Sequence, residues 1–192
     1  MKNKAKEILK FFMIWLLIFI LIMSIFLIVR KITNKMMVDK VIKTYMTDSD
    51  VHIEKNEKET KDVTMQINGN TVIGVLKIDK INFEGLVYEG TNQKILKKGV
   101  GHFEESPVLS GNVCFAAHNY REYWAKLHTL EKGDIISYIS YLGSKDYEVF
   151  NIKEIDETDW SLLGPTDNNI ITLITCIKNK EEKRLCVQAK EN

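Results

Sequence analysis

The sequence predicts a mostly β domain, a closed barrel or sandwich of seven to eight short strands with one or two short helices, behind a single N-terminal transmembrane helix. Three observations carry that prediction. Residues 11–29 (FFMIWLLIFILIMSIFLIV) run for 19 positions without a charge, and Ser24 is their one polar side chain. At about 1.5 Å per residue, such a helix nearly spans the roughly 30 Å hydrocarbon core of a bilayer. From about residue 63 the chain changes to short runs rich in β-branched and aromatic residues, which suit a pleated, half-buried surface. Between those runs lie NGN, SGN, EKGD, GSKD and GPTDNN, all of them turn-favouring.

Taken in order, residues 1–10 are a basic segment and 11–29 the membrane span. The span ends in Val29-Arg30-Lys31 with no small-residue cleavage site, so it reads as an uncleaved anchor. Lys2, Lys4, Lys6 and Lys10 precede it, and Arg30, Lys31 and Lys35 follow. That near balance leaves orientation unset by charge. Residues 30–62 read as a juxtamembrane helix and a polar linker. Ile32, Met36, Val38, Val41, Ile42 and Tyr45 keep a loose helical spacing, whereas 47–62 is polar and aperiodic. In the domain 63–192 the expected strands are 71–78, 82–88, 112–118, 134–141, 147–155, 170–176 and 184–190. A short helix fits 92–98, with Thr91 as N-cap and Gly99 just past its end, and another fits around 121–130.

The chain of 192 residues holds 27 Lys and Arg against 26 Asp and Glu. Residues 1–35 account for seven basic groups and one acidic, leaving twenty basic against twenty-five acidic in 36–192. A net-acidic domain argues against nucleic-acid binding, which favours a basic surface. Three cysteines are too few, and odd in number, for a disulfide scaffold. The sequence has no H-E-x-x-H, C-x-x-C or close His pair to suggest zinc, and no phosphate-cradling glycine loop or G-x-S-x-G elbow. No metal site is expected.

Cys176 ends the run IITLITC. A thiol at its ordinary pKa of about 8.5 is only a few per cent ionised at neutral pH, so a nucleophilic cysteine needs a nearby base or cation. If the polar KNKEE of 176–184 forms a hairpin turn, Cys176 faces Arg184 in symmetric register, within reach of a guanidinium. A core cysteine beside an exposed edge arginine is the plainer reading of the same spacing. His118 closes NVCFAAH, a position suited to proton transfer. His52 falls in the linker, and His102 and His128 in loop or short-helix sequence. Asn119 is not expected to complete a triad with His118, because adjacent strand side chains face opposite ways.

Thr172-Leu173-Ile174-Thr175-Cys176 matches the TLxTC signature of sortases, the membrane-anchored cysteine transpeptidases of Gram-positive bacteria. Gly74–Ile81 resembles the opening strand of that family and Glu89-Gly90-Thr91 its following turn. Gly99–Phe103 and Gly111–His118 resemble the segments leading to its catalytic histidine, and Arg184 stands where its arginine begins the last strand. The resemblance covers roughly residues 72–190. Asp79 departs from a frequent proline and Ala117 from a frequent glycine, neither at a reacting group. The short loops 156–169 and 177–183 are most similar to compact class D or class A members.

The resemblance implies a sortase-type closed barrel that cuts an LPXTG-like sorting signal between Thr and Gly. Cys176 forms the thioester, His118 moves the proton and Arg184 holds substrate and oxyanion. Thr175 and Ala117 shape the substrate groove beside the thiol. The acyl group passes to a cell-wall or pilin amine, with the N-terminus cytoplasmic and the barrel outside the cell. Cys114 and Cys186 are expected to be core thiols. No cofactor is required, although some relatives bind calcium through loop carboxylates, a role Glu104-Glu105 and Asp156-Glu157 could imitate. The rival readings are a cysteine hydrolase with the same Cys and His, and a non-catalytic membrane-tethered binding module.

Overall fold

The computed structural model describes residues 2–49 and 64–192. Most of the expected polar linker, with His52, lies outside the described residues. The chain divides into two units, residues 1–39 and 40–192.

Helix α1 (Lys2–Ser49) has 48 residues, a length of roughly 72 Å. It contains one stretch long and apolar enough to cross a membrane, of mean hydropathy 3.2 and with none of its side chains buried by protein. Its final turns belong to the second unit. There Val41 and Tyr45 are fully buried, and the Tyr45 hydroxyl donates to the Val72 carbonyl and accepts from Met65 N–H at 3.0 Å.

Among the described residues the second unit holds nine strands: β1 (Met65–Ile67), β2 (Asn70–Ile78), β3 (Phe83–Glu89), β4 (Val100–His102), β5 (Asn112–Ala116), β6 (Ile135–Ser140), β7 (Gly143–Asp156), β8 (Ile170–Ile177) and β9 (Lys180–Glu191). Eight of them close a ring in the order β2-β3-β4-β5-β8-β9-β7-β6, with β6 returning to β2. β1 pairs with β2 beyond the end of β6, through Ile67↔Asn70. Asn68 and Gly69, both at positive φ, make the two-residue turn that asparagine-glycine favours between twisted strands. β3–β4 and β5–β8 are parallel, and the other pairs antiparallel. Inside the ring, Leu76, Val87, Phe115, Tyr138, Leu173 and Val187 form the core, and Trp124 and Leu127 pack into it from the loop after β5.

Several expectations need correction. The short helix is α2 (Gln93–Leu96), and its N-cap is Asn92, not Thr91: the Asn92 side chain accepts from Lys94 N–H at 3.0 Å and Ile95 N–H at 3.2 Å. Around 121–130 there are turns and a single 3-10 turn at Leu127–Thr129 rather than an α-helix. GSKD is not a turn but the start of β7; Tyr141 and Leu142 turn instead. Ser140 holds that turn, accepting from Leu142 N–H at 3.2 Å and donating to the Gly143 carbonyl at 3.0 Å. β5 stops at Ala116, two residues short of the expected end.

The outer face of β5, β8 and β9 is covered as well. The β7–β8 loop (157–169) folds over it, packing Leu162 and Leu163 against Ile155, Ile174 and Cys186. The Asn112 amide donates to the Leu162 and Gly164 carbonyls at 2.9 and 2.8 Å, and its oxygen accepts from the Thr172 hydroxyl at 2.7 Å. The Gln188 amide in turn donates to the Thr172 hydroxyl at 3.2 Å and accepts from the Asn151 amide at 3.0 Å. A chain of satisfied polar groups thus fixes the loop without leaving buried donors unpaired.

Candidate active site

The parallel pairing of β5 and β8 assembles the site. Ala116 is level with Ile174. His118 and Cys176 each follow two residues beyond that pair, so the register brings their two segments together. Ladder-like contact persists past the end of β5, with Ala117 N–H donating to the Ile174 carbonyl at 3.3 Å. On the other side of β8, Cys176 pairs with Arg184 of β9. The five-residue turn expected between them is tighter: Lys178 and Asn179 turn, Ile177 pairs with Lys180, and a bulge accommodates the remaining residues.

Cys176 is exposed, while Cys114 and Cys186 are fully buried. Burial pushes both of those thiols up to about 12; they remain protonated, whereas Cys176 lies open to reagents and substrate. His118 is half-buried. Its ring stacks on that of Tyr120, with centroids 4.7 Å apart and planes 23° apart, and its carbonyl accepts from Trp124 N–H at 3.2 Å.

Arg184 donates to the Glu181 and Lys183 carbonyls at 2.5 and 2.9 Å and pairs with the Glu157 carboxylate at 2.8 Å. The bulge and the β7–β8 loop together hold the guanidinium. Thr175 and Ala117 are buried beneath the site, and the Thr175 hydroxyl donates to the Ala117 carbonyl at 2.8 Å. Asp156 pairs with Lys183 at 2.5 Å. The carboxylates Asp156 and Glu157, considered for calcium, are therefore engaged in ion pairs, and no group of three or more metal-ligating side chains gathers among the described residues.

Two residues touch the site that the sequence did not mark for it. Glu157 reaches Arg184, and Asn119 donates its amide to the Cys176 carbonyl at 2.8 Å. Alternation ceases where β5 ends, so Asn119 is free to turn toward β8. His102 lies on β4, buried, with Nδ1 2.9 Å from the Glu89 carboxylate and Nε2 2.9 Å from the Ser106 hydroxyl. It is a satisfied internal histidine.

A closed eight-stranded barrel with an exposed cysteine paired to an arginine accords with one class of protein: the chain belongs to the sortase family, whose Sortase domain model matches residues 76–192. Among curated relatives, Sortase D of Bacillus subtilis (strain 168) is 32% identical over 125 residues, 64% of this chain and 60% of its own length. The chain spans about 60% of the length of the curated relatives it matches. The solved sortase A of Listeria monocytogenes is 30% identical, with a TM-score of 0.59 over 63% of this chain and 87% of that one. A Clostridium perfringens Sortase D5 transpeptidase shares the fold with a TM-score of 0.64, covering 83% of this chain and 98% of that one at 24% identity.

Proposed function

We propose that this chain is a membrane-anchored cysteine transpeptidase that cleaves an LPXTG-like sorting signal between Thr and Gly and transfers the acyl group to an amine. The observation that supports this reading is the register that pairs exposed Cys176 with Arg184 across the hairpin and runs β5, whose end lies two residues before His118, alongside β8. Membership of the sortase family supports it.

In the first step the Cys176 thiolate attacks the Thr carbonyl. The C–N bond to Gly breaks, and protonated His118 delivers its proton to the departing amine. In the second step His118 takes a proton from the incoming amine, whose nitrogen attacks the thioester and releases the thiolate. Arg184 stabilises the oxyanion of each tetrahedral intermediate, as a preorganised cation does. Thr175 and Ala117 support the groove from below. Thiol, imidazole and guanidinium supply the whole reaction, which calls on no cofactor.

Residues 1–10 lie in the cytoplasm, 11–29 cross the membrane, and the barrel acts outside the cell. Cell-wall cross-bridge precursors or pilin lysines supply the amine there.

The test incubates the full chain in detergent with an LPXTG-like peptide, with and without an amine, and weighs the products. Transfer yields the amide only when amine is present, and Cys176→Ala abolishes both cleavage and transfer. Release of free acid at an unchanged rate and yield in saturating amine identifies a hydrolase instead. Arg184→Lys loses most activity, because a point charge does not reproduce the planar fork; near-normal turnover removes Arg184 from the site.

A further inference from the structure

β5 stops one residue before Ala117, so the ladder that aligns the two reacting strands runs out just short of the groups it has to align. Side chains take over there. The Thr175 hydroxyl donates to the Ala117 carbonyl at 2.8 Å, and one step farther on the Asn119 amide donates to the Cys176 carbonyl at 2.8 Å. Asn119 is thus bonded to the main chain of the nucleophile while covalently adjacent to the histidine. Behind it, the loop is held by Trp124 N–H on the His118 carbonyl and by the Tyr120 ring on the imidazole.

We propose that Asn119 is a positioning residue for acyl transfer: its amide ties the His118 loop to the Cys176 strand and so fixes where the imidazole stands, relative to the attacking sulfur, as it delivers its proton to the departing amine. The inference rests on the roles given above to Cys176 and His118. Asn119 touches no reacting atom. It acts on the relative placement of two groups carried by segments that no backbone ladder joins at that level. Glutamine is a methylene too long for the same bond, alanine leaves the carbonyl without its donor, and aspartate of the same size offers an acceptor to an acceptor. A misplacement of about 1 Å at such a distance can slow a reaction on the order of a hundredfold.

The experiment measures single-turnover acyl-enzyme formation by mass spectrometry for the full chain in detergent, across a double-mutant cycle of Asn119→Ala and His118→Ala. Asn119→Ala is expected to lower the rate roughly ten- to a hundredfold, with the peptide concentration for half-maximal rate changed less than about twofold. Asn119→Asp should fall with it. In the His118→Ala background, Asn119→Ala should change the rate by less than about twofold, because there is no imidazole left to place. A full additive loss in that background, or an unchanged rate in the single variant, overturns the proposal. A second readout needs no turnover: the His118 ring resonance of histidine-labelled chain, assigned by its loss in His118→Ala, should shift and broaden in Asn119→Ala. An unmoved resonance overturns the tie. Wild-type rates in both His118→Ala and Cys176→Ala, with the resonance still displaced, refute the transpeptidase reading and leave the tie standing.

Discussion

Three thiols in one barrel wall differ because of what covers each one. Cys114 and Cys186 lie on the outer face beneath the β7–β8 loop: Leu163 and Asn112 carbonyls approach Cys114, and Leu162 and Leu163 pack with Cys186. Cys176 is on the same face but beyond the loop. Iodoacetamide at neutral pH should label one cysteine in the folded chain and all three after denaturation; peptide mapping by mass spectrometry reads the result. Burial raises the folded pKa of Cys114 and Cys186 to about 12, above an ordinary value near 8.5. Their stabilising contribution is therefore complete below about pH 8.5 and is lost as pH rises toward about 12, because the unfolded thiols release protons that the folded ones keep. Urea midpoints measured from pH 8 to 11 should fall, and fall less steeply when both cysteines are replaced by alanine. An equal slope in the two chains defeats the expectation.

At the scale of elements, much was legible and the reasons are visible. β5 and β8 are covered on both faces, so NVCFAA and IITLITC read as continuous apolar runs, and the Cys176–Arg184 pairing followed from spacing within a hairpin. β4 has no strand signal in the sequence, because one of its three residues is Gly101. Glycine is required there: a Cβ at Gly101 would stand 2.5 Å from the Gly90 carbonyl. The Asn119–Cys176 bond spans 57 residues of sequence and depends on a parallel register that no local pattern encodes. The Glu157–Arg184 pair spans 27 residues and depends on the antiparallel β7–β9 register, which no local pattern encodes either. Closure depends on another glycine. Gly74 pairs with both Val87 and Ser140 where β6 returns to β2, and a Cβ there would clash with the Ile139 carbonyl and lie 2.7 Å from the Tyr138 ring. Gly74→Ala should destabilise the barrel by about 1–3 kcal/mol, read as a lowered urea midpoint. An unchanged midpoint would show that β6 can shift aside.

For the whole molecule, the boundary between the apolar helix and the barrel unit is not where the hydropathy changes. Sequence marks the end of the apolar run at Val29, yet the compact unit that contains the barrel begins at residue 40. Tyr45 explains the difference, filling a buried place and bonding to both Met65 and Val72. The loose helical spacing through Tyr45 was readable, but not the strand it meets. A chain beginning at residue 40 should melt several degrees above one beginning at residue 64, and Tyr45→Phe should remove part of the gain, about 1 kcal/mol for one buried hydroxyl. Equal melting temperatures for the two chains would place residues 40–49 outside the folded unit.

The ring order has a consequence for synthesis. β9 is the last strand in the chain, yet it is seated between β7 and β8. While the chain is being made from its N-terminus, β7 and β8 must each keep one edge open to receive it. An exposed strand edge invites pairing with other chains. Because Arg184 arrives on β9, a nascent chain that already displays its thiol has no guanidinium beside it, and the Cys176–Arg184 pair is completed by the same event that seals the barrel.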